Sequence, residues 1–216
     1  MKNDADLQHD VQEELRWDPS IRAAERIGVS VKNGVVELDG HVDSVWIKYA
    51  AERAAMRVAK VKAVASEIKV DPPSSAIRTD EDIALAASNY LEWNALVPKT
   101  VKVQVTDGVV TLEGTVEWHF QKKEAEQGLL WLIGVKSILN KITLNPKASA
   151  AGVKIKIEDA LKRNAEIDAT HIKVETSDGT VTLRGNVRSL RQREEVAHAA
   201  WAAPGVSKVE NHLRIS

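Results

Sequence analysis

The chain has no cysteine. That excludes disulfides and thiolate metal sites without fixing the compartment. No segment approaches the ~20 consecutive apolar residues of a membrane-spanning helix. The amino terminus, Met1-Lys-Asn-Asp-Ala-Asp6, lacks the apolar core of a secretory signal. The expectation is therefore a cytoplasmic protein, or a periplasmic one if a signal has been removed. An excess of one charge is also missing: 30 Lys and Arg face 31 Asp and Glu, a net charge of −1, so no overall field draws in nucleic acid. The histidines at 9, 41, 119, 171, 198 and 212 show no paired metal spacing, and no metal or cofactor is expected. Glu37, Asp39 and Asp43 cluster without a base or nucleophile that recurs beside them, which leaves general acid–base catalysis unsupported. No enzyme and no small-molecule substrate are expected.

What is present is a repeat. Gly108-Val-Val-Thr-Leu-Glu-Gly114 is echoed by Gly34-Val-Val-Glu-Leu-Asp-Gly40 and by Gly179-Thr-Val-Thr-Leu-Arg-Gly185. Val61, Val135 and Val206 follow the three copies at one common distance. One module of roughly seventy residues is thus written three times, with expected bounds of 1–72, 78–146 and 150–216. Each is near the lower size limit for a self-sufficient core, so neighbouring modules are expected to pack on one another.

The middle copy serves as template. Ile83, Ala84, Ala87 and Leu91 have helical spacing, with Thr79 as amino-terminal cap. Val101 to Val105 alternates as a strand with one buried face. Asp107-Gly108 predicts a two-residue type I′ hairpin, which pairs Val105 with Val110 and Val103 with Leu112. The same register works around Asn33-Gly34 and Asp178-Gly179. It turns the second glycine of each pair toward the core, where a missing Cβ permits close approach of another backbone; the following helix is the expected neighbour. That helix carries small residues: Ala51, Ala54 and Ala55, then Ala125 and Gly128, then Ala199 and Ala200. Ser44 and Ser189 can cap it, whereas Trp118 cannot. Gly134 and Gly205 end it, and Lys60 stands at that place in the first copy. A last strand follows, with Ser66, Asn140 and Asn211 as a polar residue needing a partner if buried. Asp71-Pro-Pro-Ser-Ser75 and Asn145-Pro-Lys-Ala-Ser149 read as linkers. The fold class is α+β: three tandem modules, each helix-strand-strand-helix-strand, with a three-stranded mixed sheet packed on two helices.

The Asp/Asn-Gly turn, the Leu-x-Gly-x-Val segment from Leu112 to Val116 and its counterparts, the Gly134-Val135 and Gly205-Val206 pairs, and Val209-x-Asn-x-Leu213 resemble the BON domain of bacterial osmotically induced and nodulation-type proteins. Lys60 for glycine and Ser66 for asparagine are the departures. The resemblance implies a small α/β sandwich without enzymatic activity, and a role in osmotic stress or at the envelope with phospholipid as ligand. A related single-module protein binds potassium, but no motif here maps to that activity.

Function is sought where the copies differ. Lys173, Arg184, Arg188, Arg191 and Arg193 form a basic cluster in the third copy and are the anion- or lipid-binding candidates. Lys173 falls opposite Arg184, a like-charge pair, where the middle copy pairs Lys102 with Glu113. Trp17, Trp46, Trp93, Trp118, Phe120 and Trp131 are the apolar contact candidates. Trp17 and Trp93 occupy equivalent places, as do Trp46 and Phe120; the third copy has Arg163 and Arg191 there, a coupled swap that suggests the two places adjoin. Gly128 to Gly134 is apolar nearly all round and is expected to be a helix buried between modules. The leading expectation is a binding protein on anionic phospholipid or a membrane surface. The alternative is a protein-interaction or chaperone-like scaffold built around Trp118, Phe120 and Trp131.

Overall fold

A computed structural model describes residues 3–145, 152–164 and 171–215. The second expected linker lies outside these residues beyond Asn145. In the first module α1 (Asp4–Trp17) precedes the hairpin of β1 (Ile27–Lys32) and β2 (Val35–Val42). Then come α2 (Val45–Arg57), β3 (Ala63–Ser66) and β4 (Lys69–Val70). The middle module has α3 (Asp80–Trp93), β5 (Lys102–Thr106), β6 (Val109–Glu113), β7 (Thr115–Val116), α4 (His119–Gln127), β8 (Ser137–Asn140) and β9 (Thr143–Leu144). The third has α5 (Val153–Arg163), β10 (Ile172–Ser177), β11 (Thr180–Val187), α6 (Leu190–Trp201) and β12 (Lys208–Ile215). The α+β class and its threefold repetition follow directly.

The hairpin register agrees with the alternation. Val105 faces Val110 and Val103 faces Leu112. Val29 faces Leu38, and Val174 faces Leu183. The last strand of each module runs parallel to the second, with β3 and β4 on β2, β8 on β6 and β12 on β11. One face of each sheet is buried under the two helices, because β-alternation and helical periodicity present apolar rows to each other. Leu7, Val11 and Leu15 of α1 meet Val36 and Leu38 in the first core; Ile157 and Leu161 meet Val174 and Leu183 in the third. The alanines of the second helix, Ala51, Ala54 and Ala55, are fully buried.

Turn chemistry repeats as well. Asn33, Asp107 and Asp178 have φ of 54, 53 and 45°, each followed by a glycine near 80°, as a type I′ turn requires. The second glycine has a different neighbour from the expected one. A Cβ at Gly40, Gly114 or Gly185 would meet the carbonyl oxygen of Arg26, Thr100 or His171 at 2.2, 2.3 and 1.9 Å. The backbone entering the first strand, rather than the second helix, demands the bare Cα there. The φ of 119 to 134° at these positions also excludes other residues.

The polar place on the last strand has its partners in two copies. Asn140 donates to the Lys122 carbonyl at 3.0 Å and to Glu126 at 2.9 Å, and accepts from the Ile142 amide. Asn211 donates to the Arg193 carbonyl and accepts from the Leu213 amide. The buried Ser66 hydroxyl of the first copy is too short to do the same and has no partner.

The Gly128–Gly134 expectation is corrected. The α-helix ends at Gln127, and Gly128–Trp131 is a 3-10 turn. The cause is Tyr90 of α3. Its hydroxyl donates to the Glu124 carbonyl at 2.9 Å, the group that α-helical continuation would give to the Gly128 amide. A Cβ at Gly128 would collide with the Tyr90 ring. Leu129 and Leu130 are buried, while Trp131 and Ile133 remain 62% and 57% exposed. The segment is therefore covered on one side and open on the other.

Candidate functional site

The basic candidates separate into two groups. Lys173 and Arg184 are paired across β10 and β11, and His212 continues the row on β12. These side chains lie on the sheet face away from the helices, and all three are exposed. The equivalent central place is acidic in the other modules, Asp39 and Glu113, so among the described residues only the third sheet sets Lys, Arg and His side by side there. Glu175 on the next rung moderates the repulsion, with Lys173 at 2.7 Å and Arg184 at 3.9 Å. Its carboxyl is held below the usual range, first by the Lys173 hydrogen bond and charge and then by Arg184.

The others belong to α6 and its entry. Arg191 is paired with Glu195 one turn on. Arg193 donates to the Asn211 carbonyl at 2.9 Å. Lys48 and Lys122, at the same place in the other modules, donate to the carbonyls of Ile68 and Ile142 at 2.9 and 2.7 Å. A basic residue tying the second helix to the last strand is thus part of the scaffold. Its recurrence at 48, 122 and 193 was the sequence signal that separates Arg193 from the cluster. Arg188 is exposed, and its carbonyl accepts from the Lys60 amide of the first module at 3.5 Å. Lys173 and Arg184 are brought together, then, and Arg188, Arg191 and Arg193, in α6 and at its entry, are not part of their row.

The aromatic candidates also divide. Trp17 and Trp93, the last residues of α1 and α3, stand 84% and 87% exposed. Trp46 stacks on Trp131 of the middle module at 3.8 Å and 25°. The ring stacked on Trp46 is thus that of Trp131, a pairing that the coupled swap did not suggest. Trp118 is half-buried and Phe120 is 46% exposed, their rings 6.5 Å apart. A contact with no foreshadowing in the sequence joins the middle and third modules: His119 stacks on Trp201 at 4.4 Å and 7°. Burial first, then Lys123, Lys122 and His198, push the His119 pKa down to about 4.

A cleft of about 380 Å³ between the first two modules is lined by Trp46, Tyr49, Arg53, Arg57 and Trp131 among others. Arg57 is engaged there by Glu14 and Asp18, each at 2.8 Å. Among the described residues no group of three or more His, Asp or Glu could hold a metal. No described helix is long and apolar enough to cross a membrane.

The sequence profile of the BON domain matches residues 3–72, 79–146 and 149–216. The chain belongs to the BON-domain family. Osmotically-inducible protein Y of Escherichia coli (strain K12) is 31% identical over 122 residues, 53% of this chain and 61% of that protein. The chain thus spans about three-fifths of the length of that relative. The outer membrane lipoprotein DolP of Haemophilus influenzae is 27% identical over 68% of this chain and 80% of its own. Among solved structures, the type III secretion protein CdsD of Chlamydia trachomatis aligns over 98% of this chain and 92% of its own, at 18% identity and a TM-score of 0.28. The names of these BON relatives denote envelope- and stress-associated proteins rather than enzymes. They also overturn the cytoplasmic expectation: a BON relative matched over most of its length is an outer membrane lipoprotein, which points to the envelope. The amino-terminal residues carried no information on this, because an export signal is separable from the modules.

Proposed function

We propose that this BON protein works without catalysis at the cell envelope, by peripheral association with anionic phospholipid. The observation that carries the reading is the Lys173–Arg184–His212 row, present only on the third sheet. Within it, the Lys173–Arg184 pair is like-charged and destabilising in isolation, and an anionic surface relieves it. Trp17 and Trp93 supply exposed amphipathic rings of the kind that settle at a membrane interface. Each basic residue near an anionic surface contributes about 1 kcal/mol. Flotation with phosphatidylglycerol-containing vesicles should recover the protein at low salt and release it at high salt. Arg184→Glu should weaken binding ~10-fold or more, since it reverses one charge. Equal recovery on neutral phosphatidylcholine vesicles, or no loss in Arg184→Glu, would contradict the reading.

A second reading has its own observation. Phe120, Trp131 and Ile133 remain exposed on the middle module instead of being sealed between its neighbours. Apolar surface of this kind suits a protein-interaction scaffold. Pull-downs lost in Phe120→Ser with vesicle binding intact would favour it.

A further inference from the structure

The sheet of the middle module ends on β5, which pairs with β6 on one side and with no strand on the other. Its hairpin closes on Thr106 and Val109, and across a two-residue turn that closing pair is hydrogen-bonded. Alternation then turns the amide and carbonyl of Gln104 inward and those of Val103 and Val105 outward, to the sheet edge. The first module has the same geometry and shows how the edge is closed. Gln8 of α1 donates its side-chain amide to the Val29 carbonyl at 2.8 Å. Val29 is the counterpart of Val103, each facing the leucine of its hairpin.

The middle module lacks that closure. The buried residues of the helices align Val11 and Leu15 with Ala87 and Leu91, and with Ile157 and Leu161. Gln8 and Gln12 therefore correspond to Ala84 and Ser88, and in the third module to Lys154 and Glu158. Only the middle helix has short residues at both places. Ala84 has no group to donate, and among the described residues none bonds the Val103 carbonyl in place of Gln8. Between α3 and β5 the short side chains leave a groove of about 450 Å³, lined by Ser88, Leu91, Glu92, Lys99, Lys102 and Val103 among others. Residues 80–116, which build this edge, are described throughout. Two lysines stand against one acid in the lining. Glu113, opposite Lys102, pairs instead with Lys141 at 3.7 Å, and among the described residues Lys99 and Lys102 have no carboxylate partner.

We infer that the groove between α3 and β5 takes an extended acidic segment of a partner protein, which joins the sheet as a further strand beside β5. Outward carbonyls and amides two residues apart match the backbone of another strand, not a helix or a lipid headgroup. One apolar side chain of the segment lies against Ser88 and Leu91, and the carboxylate next to it, on the opposite face, meets Lys102. A second copy of this chain adding its own β5 brings lysine toward lysine, which disfavours it. This interaction is separate from lipid association and does not depend on it.

Amide-resolved NMR on the full chain, with acetyl-Thr-Val-Glu-Val-Glu-Thr-amide as probe, tests this. The peptide should move the Val103 and Val105 amide protons downfield in a saturable way and slow their exchange with solvent. Val29 and Val31 should stay unmoved. A peptide with lysine in place of both glutamates should bind severalfold more weakly, and Lys102→Glu should weaken the acidic peptide to a similar extent. Ala84→Gln installs the closure of the first module at a partly exposed helix position that glutamine suits, and should abolish the response. No response at Val103 and Val105, an undiminished response in Ala84→Gln, or equal binding of the acidic and basic peptides would each refute the groove. Protection of Val103 and Val105 that rises with protein concentration in the absence of peptide would assign the edge to a second copy and overturn the proposal as well.

Discussion

Lys60 occupies a backbone conformation that its two counterparts assign to glycine. Its φ is +76°, against +91° at Gly134 and +83° at Gly205. A Cβ in the left-handed region costs ~1 kcal/mol, and here no local hydrogen bond from the side chain offsets it. Lys60→Gly should therefore raise stability by ~0.5–1 kcal/mol. The Lys60 amide to Arg188 survives the change. Urea denaturation of the two proteins measures this directly, and an unchanged or lower midpoint would contradict it. Much at this scale was legible in the sequence. The Asn/Asp-Gly turns specify their own geometry, and the departures at Lys60 and Ser66 mark a strained residue and an unpaired hydroxyl. The reason for the second glycine was not legible, because the carbonyl it makes room for sits on a chain segment whose path only the folded hairpin defines.

Elements were predictable where their limits are local and unpredictable where another element sets them. Thr79 caps α3 through Asp82, as its spacing suggests. The end of α4 depends instead on the Tyr90 hydroxyl reaching across from α3. His119 is the clearest case of a property made by packing. Its ring is the first residue of α4, stacked on Trp201 of α6, with its Nδ1 buried and unpartnered. The folded pKa of about 4 lies below the ordinary 6.5. Between those values the unfolded chain binds the proton and the folded chain refuses it. Stability is therefore full above pH 6.5 and falls as pH drops toward 4. Because the ring is only partly enclosed, solvent screening reduces the effect to ~1–2 kcal/mol. The difference in denaturation midpoint between pH 7.5 and pH 4.5 should shrink in His119→Phe, which keeps the stacking surface without the titration. Identical pH dependence in the two proteins would rule out His119 as the source.

At the scale of the whole molecule the three copies are not equally joined. The cores of the first two modules run together into one cluster, whereas the third has its own. The Trp46–Trp131 stack bridges the first pair, while His119–Trp201 and the Lys60–Arg188 hydrogen bond reach the third. The sequence announces three modules but not this asymmetry, because interfaces are built at the places where the repeats diverge. Aromatic pairs contribute ~0.5–1.5 kcal/mol beyond area burial, so truncating either ring should loosen the first two modules together. In Trp131→Ala, hydrogen exchange should accelerate across α2 and α4 and leave β10, β11 and β12 at their original rates. A double-mutant cycle with Trp46→Ala should return a coupling of ~1 kcal/mol. Acceleration spread evenly over all three modules, or a coupling near zero, would mean that the chain unfolds as one unit and that the stacked pair does not join the first two modules.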